Sequence, residues 1–478
     1  MKRSVLTLAV AGVFAAPAMA QTGNVQLYGR LNVGIDNYEA KGAAAGSNFD
    51  FKSRMRVFDT ASRVGIRGTE DLGGGVRAIF QVETGVNIDN GSNTGQNGSN
   101  NPNTGFWASR DSWVGIEGDR FGRLTFGRQS VYWSNGTIEQ IGANYINSSS
   151  PLGTYSQSGI VLGPVARESN TVQYSLRFGG FSATASYGYS ATAAPVPPAT
   201  FASSPYESAQ AGVDPKDQFY GITLRYNHSV FDLQADWATR QDLINVQGRD
   251  FTGWKVGAAW KYLPGAQISV IYQNLKNDNT FGLGAINGTT PATAAFAVTS
   301  NPALGLSAAQ AATAAGVIAG SCGPVSASAA ALAGAGIPAA LIPGTIGAVQ
   351  GSLFTTGGGG TIDRCANLDQ DMWLVSWEHT FGNFQVLAQY GWSSDVSGGN
   401  LGSSGAQSYL IGGRYFLSKR TWVYASYNLL KNDVNQYTDY WGGWMTSAQQ
   451  LNGAAPGLPP TSSGADPQII AIGLFHTF

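Results

Sequence analysis

From Val25 onward, apolar and polar residues alternate with a period of two. Val25, Leu27, Leu31, Val33 and Ile35 share one parity, and Gln26, Tyr28, Arg30, Asn32 and Asp36 share the other. Successive side chains of a strand point to opposite faces, so one set can meet oil while the other meets water. The pattern returns at Val76, Ala78, Phe80 and Val82 against Arg77, Gln81 and Glu83, and at Tyr220, Ile222, Leu224 and Tyr226 against Thr223 and Arg225. Trp254, Val256, Ala258, Trp260 and Tyr262 alternate with Lys255, Gly257, Ala259 and Lys261; Tyr409, Ile411, Tyr415 and Leu417 alternate with Ser408 and Arg414. The final stretch sets Ile470, Ile472, Leu474, His476 and Phe478 on one face, apolar to the terminal residue. Such an ending suits a strand that closes a ring against the first one.

The breaks between these segments come in two lengths that take turns. Short ones fall at Asp71–Gly75, Asp119–Gly122, Gly179–Gly180, Asn227–Ser229, Leu263–Gly265, Gly382–Asn383 and Ser418–Arg420. Long ones fall at 38–58, 89–109, 129–168, 191–217, 240–251, 277–370, 394–406 and 432–466. Seven tight turns interleaved with eight long loops predict sixteen antiparallel strands with both chain ends on one side. The predicted fold class is all-β, a 16-stranded transmembrane β-barrel with short periplasmic turns and long external loops. A soluble β-sandwich also alternates, but its connections need not sort by side and it seldom uses so many strands.

Composition sharpens this picture. Charged residues make up 12% of the chain, against roughly 25% in soluble domains. No uninterrupted run of about 20 apolar residues follows the first segment, so a helical membrane span is not expected. Apolar residues must instead be spread along strands, oily on one side and wet on the other. Residues 1–20 read as a secretory signal: Lys2 and Arg3, an apolar stretch from Val5 to Ala16, and the small-residue site Ala18-Met19-Ala20. The remaining barrel domain is then 21–478. Loss of two cations and no acid takes the formal charge from −1 to −3. A near-neutral chain lacks the basic surface that nucleic acid requires. Aromatic residues cluster at predicted strand ends, among them Tyr38, Tyr187, Tyr189, Tyr226, Trp237, Tyr262, Tyr390, Trp392, Tyr415 and Tyr427. A membrane-interface girdle and ordinary strand propensity both account for them. An exported chain with two cysteines, Cys322 and Cys365, is expected to join them in a disulfide, with two free thiols as the alternative. Their spacing fits no zinc motif, and no cofactor is expected.

The chain resembles the general diffusion porins of Gram-negative bacteria, in their betaproteobacterial branch. The segments carrying this are VQLYGRLNVGID at Val25–Asp36, SRVGIRGTEDLGGGVRAIFQVE at Ser62–Glu83, FGRLTFGRQ at Phe121–Gln129, GGRYFLSKRTWVYASY at Gly412–Tyr427 and GLFHTF at Gly473–Phe478. TEDLGGG and LSKRT together are the specific part. The resemblance implies a homotrimer of 16-stranded barrels among outer-membrane lipid and lipopolysaccharide, with the barrel-assembly machinery engaging Phe478. It also implies a third loop, 129–168, folded inward to narrow a pore for small hydrophilic solutes. Two departures stand out: the 277–370 sixth loop is unusually long and Ala-rich, and the third loop lacks an acidic PEFGG-like run.

Selectivity in a wide barrel comes from pore width and from the field at its narrowest point. Inward parity on the early strands yields a basic set, Arg30, Arg63, Arg67, Arg77, Arg123 and Arg177. Arg110 and Arg128 lie at outer strand ends beside the second and third loops. The expected constriction is Arg30, Arg63, Arg110 and Arg128, opposed by Glu83 and Glu139. The plainer alternative is that each arginine pairs with a lumen carboxylate such as Glu70, Glu83 or Glu117. The excess of bases on early strands favours weak anion preference, although Asp232 and Asp236 tip later strands the other way. The sixth loop reads either as an external cap or as a segment that dips into the vestibule and restricts flow. Pro302, Pro324, Pro338 and Pro343 would break any helix in it. An enzyme is disfavoured because His228, His379 and His476 fall on a turn, a strand end and a lipid-facing parity, away from nucleophiles. A substrate-specific channel or an adhesin on the same barrel is the remaining rival; Tyr28, Trp113 and Trp422 are the aromatics with lumen parity.

Overall fold

The computed structural model describes residues 24–43, 50–86, 88–89, 107–132, 161, 163–164, 167–188, 218–242, 250–278, 367–398, 402–436, 438 and 464–478. Among these there is no α-helix, and no helix long and apolar enough to cross a membrane. The strands run β1 (Asn24–Lys41), β2 (Phe51–Asp59), β3 (Arg63–Gly73), β4 (Val76–Gly85), β5 (Ser112–Gly118) and β6 (Gly122–Ser130). They continue as β7 (Arg167–Phe178), β8 (Phe181–Gly188), β9 (Gln218–Asn227), β10 (Phe231–Gln241), β11 (Phe251–Leu263) and β12 (Ala266–Asn277). The remainder are β13 (Leu368–Phe381), β14 (Phe384–Ser393), β15 (Ala406–Phe416), β16 (Thr421–Asn432) and β17 (Asp466–Thr477). Each pairs antiparallel with its chain neighbour, except that β2 and β3 both pair with β1. They are two pieces of one long strand, so the ring has sixteen members, as the pattern predicts. Pairing of β1 with β17 from Arg30↔Thr477 to Lys41↔Asp466 closes it.

Closure explains the terminal residues. The amide of Phe478 donates to the Gly29 carbonyl at 3.1 Å, and the Gly29 amide donates back to Phe478 at 3.2 Å. A closed ring leaves no edge to be satisfied by water, which is what a barrel in hydrocarbon requires. The two faces separate as the alternation demands. On β17, Ile472 is 66% exposed while its neighbour Ala471 is 1% exposed. Met55, Val57, Val114, Ile411 and Ile470 belong to the same bare apolar exterior. The tight turns are where expected; Gly179 and Gly382 reverse the chain with φ of 54° and 59°, a region that a side chain resists.

Three expectations need correction. The first loop is shorter than 38–58, because Tyr38–Lys41 and Phe51–Phe58 are paired strand. Tyr38 is not a girdle residue: it has the inward parity of Asp36 and is buried. Glu70 does not line the lumen; it shares the outer face of β3 with Leu72. The inward face is also not uniformly polar. Along β12–β14, Ile271, Leu275, Met372, Leu374 and Leu387 turn inward, none more than 2% exposed.

The break between β2 and β3 has a structural purpose. Opposite Leu31 and Asn32 the chain inserts Thr60, Ala61 and Ser62, one residue more than the register needs. Ala61 takes up the excess at φ 57°. A bulge of one residue reverses which parity faces in. Arg56 and Phe58, at even positions, face the lumen before it; Arg63 and Arg67, at odd positions, face the lumen after it. With Ala61 kept in unbroken alternation instead of a bulge, Arg63 would be turned toward lipid.

Candidate pore lining

The inner wall of β1–β5 is organised around one carboxylate. Glu83, on β4, is 4% exposed. Arg110 Nε donates to its Oε1 in a short ion pair, and the Arg110 amide donates to the Glu83 carbonyl at 3.0 Å. Arg63 Nε stands 3.5 Å from Oε2, and the Tyr28 hydroxyl donates to the same oxygen at 3.1 Å. The Glu83 amide donates to Ser112 Oγ at 3.1 Å. Tyr28 reaches this point only because it lies across Gly65; a Cβ there would sit 2.5 Å from the tyrosine ring. A residue with a side chain at 65 would push the hydroxyl off the carboxylate.

Arg30 adjoins this knot. Its Nε donates to the Ala61 carbonyl at 3.0 Å, so the bulge that turns Arg63 inward also holds Arg30. The Arg30 guanidinium lies 5.7 Å from the Phe475 ring, which stacks on Trp422 at 4.0 Å. Arg30, Arg63 and Arg167 are all near enough to Arg110 to repel it. Arg167 Nε is 3.4 Å from Asp111, whose carboxylate also accepts from Ser130 Oγ at 2.8 Å. Arg63 and Arg110 thus share Glu83, Arg167 reaches Asp111, and Arg30 lies beside them on a backbone carbonyl, so cations gather on this wall.

Other expected residues sit apart. Arg128 follows Gly127, at φ 141°, where the β6–β7 register slips, and it is half-buried at the end of β6 beside Ser109. Its Nε donates to the Ser109 carbonyl at 3.1 Å and its Nη1 to Ser169 Oγ at 2.7 Å. Arg77 pairs with Glu117 at 2.7 Å and Asp119 at 3.3 Å, the neutral arrangement set against a pore role. Arg177 is exposed near the β7–β8 turn. Arg67 and Arg123 lie on rings instead, 5.0 Å from Tyr28 and 4.0 Å from Trp113. Glu139, Cys322 and Cys365, the signal segment, and most of 129–168 and 277–370 lie outside the described residues. Among the described residues no His, Cys, Asp and Glu group is arranged to hold a metal. His379 Nδ1 is 2.9 Å from the Tyr262 hydroxyl and His476 Nδ1 2.9 Å from Thr421 Oγ1, both on outward parities.

Across the barrel lies a contact that parity could not reveal. Tyr132, two residues beyond β6, is 2% exposed and donates to Gln273 Oε1 on β12 at 3.2 Å. Its ring covers Lys255 Nζ of β11 at 4.9 Å, and that ammonium is 3.9 Å from Asp236 Oδ2. Burial pushes the Tyr132 phenol well above its ordinary range, with the Asp236 charge adding to the push, so it stays a donor. Gly253 makes room: a Cβ there would come within 2.9 Å of the Tyr132 hydroxyl, Pro164 and Leu275. β6 and β11 are separated along the ring by β7–β10. The chain leaving β6 therefore enters the barrel and meets the facing wall. The signals were present (an aromatic just past a strand, a glycine on a distant one), but nothing in a linear sequence joins them.

A closed ring of sixteen strands, bare and apolar outside and charged within, defines a β-barrel of the outer-membrane type. The chain belongs to the Gram-negative porin family, whose sequence model matches residues 7–435. It is 35% identical over 207 residues to an outer membrane porin protein of Bordetella pertussis, covering 40% of this chain and 49% of that one. It is 27% identical over 245 residues to the major outer membrane protein P.IB of Neisseria gonorrhoeae, covering 49% and 61%. The matched stretches thus span about half to three-fifths of these relatives. Among solved structures, an anion-selective porin from Comamonas acidovorans superposes with a TM-score of 0.56 at 18% identity, over 95% of this chain and 100% of that one. The outer membrane protein OmpT of Vibrio cholerae superposes with a TM-score of 0.51 at 13% identity, over 96% and 98%. At such identities the structures speak for the fold. The protein's place is the outer membrane of a Gram-negative cell.

Proposed function

We propose that the protein is a passive channel for ions and small hydrophilic solutes, with weak preference for anions. The observation that carries the preference is the inner wall around Glu83, where Arg30, Arg63, Arg110 and Arg167 gather about Glu83 and Asp111. A fixed positive excess beside a narrow aqueous path lowers the energy of a passing anion and raises that of a cation. The Comamonas porin that shares this fold is named as anion-selective. Transport of this kind needs no covalent chemistry, and no catalytic role is assigned.

The third loop, 129–168, is the element that narrows the path. Support comes from Tyr132, whose hydroxyl bonds Gln273 on the facing wall. The working unit is a homotrimer among outer-membrane lipid and lipopolysaccharide, assembled by machinery that engages Phe478; family membership supports this. The Cys322–Cys365 disulfide belongs to the same proposal. Purified protein in planar bilayers under a potassium chloride gradient tests the central point. The reversal potential is expected on the anion side, and Tyr132→Phe is expected to make the open current noisier. Clear cation preference would overturn the selectivity; absence of any conductance would overturn the channel.

A further inference from the structure

Two arginines on the inner face of the early strands rest on aromatic rings. Arg67 of β3 lies 5.0 Å from the Tyr28 ring, and its Nε and Nη2 both donate to Gln26 Oε1, at 3.0 and 2.8 Å. Arg123 of β6 lies 4.0 Å from the Trp113 ring of β5. The pairs are neighbours, because the register runs Arg67↔Gln81 between β3 and β4 and Gln81↔Trp113 between β4 and β5. Gln81 is tied down by donating to the Asp111 carbonyl at 3.1 Å, so it forms a flat bridge between them.

A guanidinium stacked on a ring differs from one paired with a carboxylate. The ring holds it in place without cancelling its charge, and the other planar face stays available. Arg123 sharpens the point. The acid beside it, Glu117, is held by Arg77 at 2.7 Å. Arg123 Nε is buried and has no hydrogen-bond acceptor among the described residues. A guanidinium short of one acceptor is under-compensated in its charge, and an anion settling beside it offsets part of that cost.

We infer that Arg67, Arg123, Tyr28 and Trp113 form a subsite for planar anions, aromatic carboxylates above all. The carboxylate would lie between the two guanidiniums, accepting from the donors of Arg67 not held by Gln26. The ring would lie against the guanidinium and indole faces. This rests on the channel reading and deepens it, adding shape to a preference that charge alone would leave indifferent between acetate and benzoate. An aliphatic ring of equal size carries the same charge but has no flat face to stack.

The test compares benzoate with cyclohexanecarboxylate as blockers of chloride current through the intact protein in planar bilayers. Benzoate is expected to block at concentrations about two- to fivefold lower, the worth of one cation–π or stacking contact at an accessible site. Trp113→Leu is expected to erase the difference. Arg123→Lys keeps the charge and removes the flat face, and is expected to shrink the difference. Binding is read apart from flow by broadening of the fluorine resonance of para-fluorobenzoate on detergent-solubilised protein. Broadening that Trp113→Leu abolishes, without any conductance, would sink the channel and keep the subsite. Equal potency of the two carboxylates, or a difference that survives both substitutions, overturns the subsite and leaves the channel standing.

Discussion

The inner wall of β1–β5 and that of β12–β14 are built on the same alternation, yet the first gathers charge while the second mixes apolar side chains with uncharged polar ones such as Gln273 and Ser376. On the first, buried charge gathers about Glu83, with Arg30, Arg63 and Arg110 each in contact with protein acceptors. On the second, Ile271, Leu275, Met372, Leu374 and Leu387 turn inward and are closed to solvent. A strand's outer face in a membrane has one solvent and one solution, which is to be apolar. Its inner face is bound only to satisfy whatever lies next to it, water or protein. The difference teaches that parity assigns a side chain to the lumen without assigning it to water.

The sharpest way to break the contrast is to remove the charge at the centre of the first wall. Glu83→Gln leaves Arg110 and Arg63 facing each other without their carboxylate, and should cost about 3–5 kcal/mol. The midpoint of heat modification on a gel reads it; an unchanged midpoint would mean that water already screens the knot. On the second wall, Leu374→Ala should cost about 2–5 kcal/mol by opening a cavity, while the reversal potential stays where it was. A shift in selectivity from this substitution would show that the apolar wall borders the ion path after all.

Arg63→Gln tests the first wall more gently. Arg63 is the more open partner of Glu83, so its loss should cost less than about 1 kcal/mol but move the reversal potential toward the cation side. The smallest effect is expected at the bulge. Ala61→Gly relieves a left-handed backbone and gains at most about 1 kcal/mol, since glycine's extra freedom in the unfolded chain offsets part of the relief. Deleting Ala61, by contrast, matches the two strands residue for residue and leaves Phe58 and Arg63 both facing in, so the barrel is expected to assemble with heat-modified gel mobility retained while Arg30 loses the carbonyl it donates to.

Much of the barrel is legible in one dimension because a strand's neighbours on the two faces are set by parity alone. The sixteen members, the tight turns, the outward Ile470 and Ile472 and the closing role of Phe478 follow from that rule together with the avoidance of bare amides in oil. Arg30, Arg63 and Glu83 were legible as inward residues for the same reason, and Arg110 as a residue at the rim beside the second loop. Arg128 was harder, since it follows Gly127 at φ 141°, where the β6–β7 register slips and simple counting fails.

Contacts between strands far apart in the ring have no counterpart in the linear pattern. The alternation determined that this chain makes a closed wall, dry outside, with a basic inner stripe. Only the closed structure decided that Tyr28 crosses Gly65 to reach Glu83, that Tyr132 crosses the barrel to Gln273, and that Ala61 turns Arg63 inward. The reason is physical: periodicity records the solvent on each side of a strand, whereas the partner of a particular side chain depends on curvature and register, which exist only once the ring has closed.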